Sequence, residues 1–263
     1  MKLTFLGVGG AMASHPADNH TALVMQHAGL TLLLDCGPTI MRQLERVGMS
    51  AGDPTHVYLS HQHGDHLLGL PMLLLNRVLF WSDRPLYVVA ERRVLAFAQQ
   101  LVQTVYPDLP MSPTIQYVAL ETNGGGDLPL APGVRYTLAA GRHSVPTWAV
   151  RFDLAGGSMV YSSDTGRSEE IAQLAVGADL LVHEAYFARQ PEKSFDTHSV
   201  AADVAMLAAR AGVKTLALVH RQEPDVVAAL SYHAAAAHYF DGEILVPQAG
   251  DTYQVQEAVT EIC

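Results

Sequence analysis

The stretch His61-Gln62-His63-Gly64-Asp65-His66 follows a predicted apolar strand, and its pattern decides the fold. Four of its six side chains are of types that bind metal ions. A strand end followed by a glycine turn can direct His61 and His63 toward one point. Asp65 and His66 lie beyond the turn and face a neighbouring point. A polar loop with chance histidines is the less favoured alternative, so the stretch predicts two metal ions side by side at the end of a strand.

Three more residues of ligand type follow predicted strands elsewhere in the chain, namely His143, Asp164 and His220. A metal ion needs more ligands than the histidine loop supplies, so partners at other strand ends are expected. Any one of the three alone is more typical of a turn or a cap. Together with the loop, they predict one shared metal site.

Hydrophobic periodicity predicts a chain rich in strands, with helices between them. The predicted strands are residues 3–6, 22–26, 31–34, 56–60, 86–89, 115–119, 135–139, 149–154, 159–162, 180–183, 215–219 and 244–246. The predicted helices are residues 39–47, 92–105 and 201–211. This order predicts sheet layers flanked by helices, of the α/β or α+β class. Because no linker-like segment divides the chain, we expect residues 1–263 to form one domain.

Composition excludes several classes of protein. The 263 residues are 49% hydrophobic and 16% charged, which excludes a disordered chain. The richest apolar run, residues 67–80, is interrupted by Pro71, Asn76 and Arg77, so no membrane span is predicted. The net charge of −10 predicts no extended surface for nucleic acid. With only two cysteines, a reducing compartment is favoured, and we expect a cytoplasmic protein.

In order along the chain, the seven ligand-type residues resemble the signature of the metallo-β-lactamase superfamily, H-x-H-x-D-H followed by a distant His, an Asp after a strand and a last His. Within that superfamily, the chain is most similar to the ribonuclease Z and related phosphodiesterase branch. The further segments that carry this similarity are Leu3-Thr4-Phe5-Leu6-Gly7, His183-Glu184-Ala185-Tyr186-Phe187 and Thr197-His198-Ser199. The resemblance implies a four-layer αββα fold, in which two mixed sheets are flanked by helices.

The resemblance also implies two divalent metal ions, each with three residues of its own and one carboxylate shared. The implied ligands are His61, His63 and His143 for the first ion, Asp65, His66 and His220 for the second, and Asp164 for both. Zinc is expected first because histidine-rich sites suit it, with manganese or iron as alternatives. Asp35 matches an early aspartate of the family and would orient the loop histidines from behind, unless it is only a turn residue.

Two metal ions about 3.5–4 Å apart would lower the pKa of a shared water, so we expect hydrolysis by a metal-bridging hydroxide. Asp65 would accept a hydrogen bond or a proton from it. His198 is the candidate acid for the leaving group, with Glu184 holding its tautomer; the alternative is a surface histidine in a first helical turn. For Tyr186 and Phe187, core packing is favoured over stacking on a base. No role is assigned to the other unmatched histidines, which are His15, His20, His27, His56, His233 and His238.

One departure from the family bears on the substrate. Full ribonuclease Z enzymes carry a long tRNA-binding arm between the positions that match His143 and Asp164. Only 20 residues, 144–163, intervene here, and they predict a hairpin. The missing arm and the acidic charge favour a substrate smaller than tRNA.

Three functions remain open at this point. The leading hypothesis is a phosphodiesterase that acts on a small or cyclic phosphodiester or on an RNA end. The second is a hydrolase of the same fold that acts on an ester, a lactone, a sulfate or a thioester. The third is a non-catalytic metal-binding scaffold. Because relatives often form dimers, the resemblance also implies a homodimer.

Overall fold

The computed structural model describes residues 1–12, 19–109, 112–192, 196–223 and 225–255. Within these ranges the chain forms two seven-stranded sheets and seven helices. The strands of the first sheet are β1 (Lys2–Gly7), β2 (Ala22–His27), β3 (Leu30–Leu34), β4 (His56–Leu59), β5 (Leu86–Glu91), β6 (Ile115–Leu120) and β14 (Thr252–Gln254). The strands of the second sheet are β7 (Gly126–Asp127), β8 (Arg135–Ala140), β9 (Trp148–Leu154), β10 (Gly157–Tyr161), β11 (Leu180–Glu184), β12 (Thr215–Val219) and β13 (Glu243–Leu245). The helices are α1 (Ile40–Arg46), α2 (Gly64–Leu67), α3 (Leu70–Phe80), α4 (Arg92–Val105), α5 (Glu169–Leu174), α6 (Ala201–Ala211) and α7 (Val226–Ala237).

Both sheets are mixed. The first has the order β14-β1-β2-β3-β4-β5-β6, antiparallel from β14 to β3 and parallel from β3 to β6. The second has the order β13-β12-β11-β10-β9-β8-β7, parallel from β13 to β10 and antiparallel from β10 to β7. Because parallel strands end at the same edge of a sheet, the carboxyl ends of β3 and β4, and those of β10, β11 and β12, are brought together.

Apolar side chains between the two sheets form a shared core, in which Leu32, Tyr58, Phe152 and Val182 are fully buried. Helices α1, α3 and α4 cover the outer face of the first sheet with a second apolar cluster. Helices α5, α6 and α7 cover the outer face of the second sheet with a third. The layers therefore run helix, sheet, sheet, helix, which confirms the predicted four-layer αββα class. The prediction of one domain over residues 1–263 stays a prediction.

A tight hairpin occupies the position at which ribonuclease Z enzymes carry their arm. Strands β9 and β10 pair in antiparallel fashion, with Leu154 opposite Gly157. The turn between them is Ala155-Gly156, and Gly156 supplies the positive φ of 89° that the turn requires. Residues 144–163 therefore form a hairpin, as predicted.

All twelve predicted strands and all three predicted helices are present, with ends that shift by at most two residues. Four helices, α2, α3, α5 and α7, and two short strands, β7 and β14, were not predicted. Hydrophobic periodicity does not predict helix α3 because the helix is apolar on both faces, with Leu73 buried and Leu79 exposed. Helix α7 likewise exposes Val227 and Leu230. Its start is capped by Asp225, which accepts hydrogen bonds from the backbone N–H groups of Val227 and Ala228.

Two further expectations concern the membrane and the thiols. Among the described residues, no helix combines the length and the apolar character that crossing a bilayer requires. Cys36 is a free, fully buried cysteine, and burial raises the pKa of its thiol. Cys263 lies outside the described residues.

Candidate metal centre and active site

The predicted site residues gather where strands of both sheets end. Asp35 follows β3, His61 follows β4, Asp164 follows β10 and His220 follows β12. Asp35, Ser163 and His220 have φ angles of 62°, 54° and 53°, in a region that residues with side chains seldom adopt. Strained backbone of this kind concentrates at functional sites. Here it marks the sharp turns by which the chain leaves three of the strands.

The first ligand group consists of His61, His63, His143 and Asp164, whose ligand-type atoms lie within 4.8 Å of one another. Nε2 of His143 lies 3.0 Å from Nδ1 of His63 and 3.8 Å from Oδ2 of Asp164. Nε2 of His61 lies 3.9 Å from the same carboxylate oxygen. The structure thus brings together the four residues that the sequence assigns to the first ion.

The second ligand group consists of Asp65, His66, Asp164 and His220. Nε2 of His66 lies 3.2 Å from Oδ2 of Asp65 and 3.3 Å from Oδ1 of Asp164. Nε2 of His220 lies 3.3 Å from Oδ2 of Asp65 and 3.2 Å from Oδ2 of Asp164. Asp164 therefore belongs to both groups and lies between them.

The chemistry of these atoms fits divalent cations. Nε2 of His61, Nε2 of His66 and Oδ1 of Asp164 are buried, and none has a hydrogen-bond partner among the described residues. Buried polar atoms ordinarily have a partner, so these three require one. Ligands about 2.0–2.1 Å from a tetrahedral zinc ion would lie about 3.3 Å from one another. The separations of 3.0–3.9 Å within the two groups are close to that value.

The charges of the site fit cations as well. Burial alone would raise the pKa of Asp164, but the neighbouring His220 and His66 outweigh it and hold that pKa well below its ordinary value. Burial would also raise the pKa of Asp65, but the neighbouring His220 and His66 outweigh it and hold that pKa below its ordinary value. Burial, reinforced by His66, lowers the pKa of His61 well below 6.5. Two ionised carboxylates and a neutral His61 are the protonation states that metal ligands need. Against the effect of burial, Asp164 raises the pKa of His66 and His220, so these two histidines would release a proton on binding a cation.

Asp35 holds the histidine loop from behind. Its carboxylate accepts hydrogen bonds from the backbone N–H and the hydroxyl of Ser60, both at 2.8 Å, and from the Tyr161 hydroxyl at 2.7 Å. It also lies 2.8 Å from Nδ1 of His66. That contact leaves Nε2 of His66 to face the ligand group, so Asp35 lies where a residue that orients a ligand is expected.

Two other candidate ligands are held in a similar way. Nδ1 of His143 lies 2.8 Å from the carbonyl oxygen of Thr197. Nδ1 of His61 lies 3.0 Å from the Ser60 hydroxyl and 3.2 Å from the Ser163 hydroxyl. In both histidines the remaining nitrogen, Nε2, faces the first ligand group.

His198 and Glu184 form a pair beside the two ligand groups. Nδ1 of His198 lies 2.9 Å from Oε1 of Glu184. The His198 ring lies 5.0 Å from the ring of His143 and 5.6 Å from that of His220, centroid to centroid. Glu184 is buried, whereas the His198 side chain is 20% exposed. His198 therefore lies at the rim of the site, within reach of a bound molecule.

Several residues near the site were not identified from the sequence. Tyr186 is only partly buried and stacks on His198, with ring centroids 4.6 Å apart, so the favoured expectation of core packing was wrong for it. Tyr161 bonds to Asp35 from the other sheet, a contact that no local pattern predicts. His20 lies near Asp65. Burial lowers the pKa of His20, and the charge of Asp65 opposes that shift. His15 lies outside the described residues.

Comparison with known proteins places this geometry in a family. A family model described as "Anti-Pycsar protein Apyc1" matches residues 1–228. A curated ribonuclease Z from Halorubrum lacusprofundi is 30% identical over 305 residues, with 97% of this chain and 97% of that protein covered. The aligned length exceeds the 263 residues of this chain, so that relative contains segments with no counterpart here.

Solved structures share the fold. The metallo-beta-lactamase fold protein YhfI from Bacillus subtilis superposes with a TM-score of 0.81 at 21% identity, covering 96% of this chain and 98% of its own. The short form of human tRNase Z superposes with a TM-score of 0.77 at 22% identity, covering 97% and 99%. Together with the sequence relatives, these findings confirm the predicted superfamily and its metal-dependent hydrolase class. Because the family model matches well over half of the chain, the protein belongs to the Anti-Pycsar protein Apyc1 family and has the metallo-β-lactamase fold.

Proposed function

We propose that this metal-dependent hydrolase cleaves small phosphodiesters, which include cyclic phosphodiesters and the ends of RNA chains. One observation carries the proposal: two ligand groups share Asp164, and the pair of His198 and Glu184 lies beside them. A site of this kind combines two cations for a phosphate group with a proton donor for its leaving group.

The proposal assigns two divalent ions to the two ligand groups. The assigned ligands are His61, His63 and His143 for the first ion, Asp65, His66 and His220 for the second, and Asp164 for both. When bound, the ions would activate a water for attack and neutralise the oxygens of the phosphate. Zinc suits five histidines and two carboxylates best, and manganese or iron are the alternatives.

The chain's own residues would handle the protons. Asp65 is ionised at neutral pH, so its carboxylate can accept a hydrogen bond or a proton from the attacking water. His198 would act on the leaving group. With Nδ1 held by Glu184, its Nε2 can deliver a proton to the departing oxygen. Glu184 would hold the ring of His198 in position during that transfer and fix its tautomer afterwards.

The hairpin of β9 and β10 supports a substrate smaller than tRNA. A tRNA-binding arm would need a long insertion at this position, but only a two-residue turn joins the strands. The net charge of −10 does not attract a long polyanion. Two divalent ions would nevertheless make the pocket locally positive, which is sufficient for a single phosphodiester.

The test is a panel of substrates offered to the metal-loaded protein. The panel contains an aryl phosphodiester, a cyclic phosphodiester, a short RNA, an aryl ester, a lactone, an aryl sulfate and a thioester. We expect turnover of phosphodiesters, loss of at least about 100-fold after chelation, and recovery when metal is returned. Turnover confined to the non-phosphate substrates would favour the second hypothesis, and no turnover of any substrate would favour a scaffold. Elemental analysis of the same sample gives the identity and number of the metal ions.

We also propose that the protein is a homodimer in which helix α3 contributes to the interface. Met72, Leu79 and Phe80 are 51%, 62% and 69% exposed on this helix, which is unusual for neighbouring large apolar side chains. Light scattering coupled to size exclusion would give twice the mass of one chain. Phe80→Glu is expected to shift the mass toward one chain, whereas a monomeric wild-type protein would contradict the proposal.

A cytoplasmic location is proposed as well. Cys36 is free and buried, which suits a compartment where thiols stay reduced. Fractionation of cells with a compartment marker would test the location, and recovery in a secreted fraction would contradict it.

A further inference from the structure

A cavity of about 350 Å³ lies against His198, on the rim of the proposed active site. We call it the arginine cavity, after the two arginines in its wall. The wall of the cavity includes Arg142, Arg167, Asp196, Asp203 and His198. Its volume is near the lower end of the range in which proteins bind small molecules.

The two arginines are anchored close to the proposed reaction centre. Arg142 immediately precedes His143, and its backbone N–H donates to the Thr165 hydroxyl at 2.9 Å. Arg167 follows Asp164 by three residues. The backbone of each arginine therefore lies next to a candidate metal ligand in the chain, and both side chains share a cavity wall with His198.

Each arginine now contacts one aspartate through one nitrogen. Nη2 of Arg142 donates to Asp196 at 3.1 Å, and Nη2 of Arg167 donates to Asp203 at 2.7 Å. The arginine side chains are 62% and 72% exposed. Exposed ion pairs contribute only about 0–1 kcal/mol, so a ligand can replace them at little cost. Among the described residues, the other guanidinium nitrogens of both arginines have no hydrogen-bond acceptor, which leaves donors for a ligand.

Oxyanions with several acceptor atoms are the ligands that suit such a pair. A guanidinium group binds phosphate through two parallel hydrogen bonds, and a dianion can engage both arginines at once. The two aspartates would repel an anion only while they remain in place. The Asp196 side chain is 71% exposed, so solvent screens its charge from a bound anion.

We propose that the arginine cavity binds a second phosphate group, carried by the leaving-group portion of the substrate. This inference rests on the proposed function, because the leaving-group side is defined by His198 as the proton donor. It narrows the substrate class: the favoured substrates carry one phosphate at the metals and another on the group that departs. A phosphodiester with a single phosphate would leave the cavity's arginines paired with their aspartates.

Binding to the metal-loaded protein tests the proposal without relying on turnover. Calorimetry would compare hydroxyalkyl monophosphates with the matching alkane bisphosphates, over chains of three to six carbons that cover the unknown spacing. In the wild-type protein, at least one bisphosphate is expected to bind roughly tenfold more tightly than its monophosphate. In the double variant Arg142→Gln, Arg167→Gln, the two should agree within about twofold.

Arg135→Gln is the matched control. Arg135 lies at the start of β8, whereas Arg142 follows the end of that strand. It is 63% exposed and pairs with Asp127 at 3.3 Å, so Arg135→Gln removes one exposed, paired positive charge, as each substitution of the double variant does. We expect this variant to keep the tenfold preference. The proposal is overturned if no bisphosphate is preferred, if the preference survives in the double variant, or if Arg135→Gln removes it too.

Failure of this inference and failure of the proposed function can be told apart. An aryl phosphodiester assay on the same wild-type sample reports the function alone. A bisphosphate preference that depends on the two arginines, without phosphodiester turnover, supports the cavity and contradicts the function. Turnover without any bisphosphate preference does the reverse.

Discussion

Nδ1 of His198 lies 2.9 Å from Oε1 of Glu184, and Glu184 itself is held by three backbone N–H groups. Those donors belong to Thr165, Tyr186 and Ser199, at 2.7 to 3.1 Å. Because these hydrogen bonds fix the carboxylate of Glu184 in place, the carboxylate determines the position of the His198 imidazole. The pair therefore resembles the base and orienting group of other hydrolytic sites in geometry, and it leaves Nε2 of His198 for a bound molecule.

Replacement of His198 by alanine tests the proton donor. A poor leaving group, such as an alkoxide, needs protonation as its bond breaks, whereas nitrophenolate does not. We expect His198→Ala to lower the rate of hydrolysis of an alkyl phosphodiester by roughly 10²–10⁴-fold. The rate for a nitrophenyl phosphodiester should fall far less. Steady-state kinetics on both substrates measures the difference, and elemental analysis should find unchanged metal content.

The exposed histidine His233, on helix α7, supplies the control for this prediction. His233→Ala should leave both rates at the wild-type level. Equal slowing of the alkyl and nitrophenyl substrates by His198→Ala would contradict an acid role and indicate a role in binding or folding.

The stacking of Tyr186 on His198 predicts a positioning role for the tyrosine ring. The rings are 4.6 Å apart and inclined by 26°, so the ring of Tyr186 restricts the tilt of the imidazole. Aromatic contacts of this kind contribute about 0.5–1.5 kcal/mol, which corresponds to a rate effect of roughly 2- to 12-fold. Tyr186→Phe should retain activity on the alkyl phosphodiester, and Tyr186→Leu should lose up to that factor. A larger loss in Tyr186→Phe than in Tyr186→Leu would assign the effect to the hydroxyl instead.

The shared position of Asp164 predicts the metal stoichiometry. Because Asp164 belongs to both ligand groups, Asp164→Ala should reduce the bound metal below two ions per chain, as counted by elemental analysis after dialysis. Asp179→Ala is the control, since Asp179 bonds to Ser158 and Lys214 at the other end of β10. That variant should keep its metal. Two ions per chain in Asp164→Ala would remove the bridging assignment.

The sequence singled out the candidate ligands because His143, Asp164 and His220 each follow a predicted strand, and the family resemblance supplied the full ligand set. His143, Asp164 and His220 lie far apart in the chain, yet parallel strands in one sheet must end at one edge, which brings strand-end residues together. The histidine loop supplies the remaining ligand types within six residues. Topology explains why these residues lie together, whereas their assignment to two ions came from the family resemblance.

Contacts between the two sheets could not be predicted from residue types and strand ends. Tyr161 belongs to the second sheet and Asp35 to the first, and they are 126 positions apart in the chain. Their hydrogen bond depends on the offset between the layers, which no local pattern encodes. Tyr186 was misassigned for a related reason, since an aromatic residue after a buried strand is typical of a core position. Only the position of His198 shows that this ring belongs to the site.

His56 lies at the start of β4, at the opposite end of that strand from the candidate metal centre, and it contacts the loop that contains Pro129. Its Nε2 lies 2.6 Å from the carbonyl oxygen of Pro129, and its Nδ1 lies 2.9 Å from the Thr55 hydroxyl. The loop over residues 122–133 is thereby attached to the first sheet and contains the short strand β7. Burial lowers the pKa of His56 below its ordinary value of 6.5, although the bond to Pro129 opposes the shift.

The lowered pKa of His56 predicts how stability depends on pH. The unfolded chain takes up a proton near pH 6.5 and the folded chain does so only at lower pH, so the His56 contribution is fully present above 6.5 and is lost as the pH falls below it. His56→Gln should cost about 1 kcal/mol at about pH 7.5 and less at about pH 5.5. Urea unfolding at both pH values measures this, with the exposed His238→Gln as a control that should show no such change. A deficit that is constant or grows toward acid would mean that His56 is not held neutral by burial.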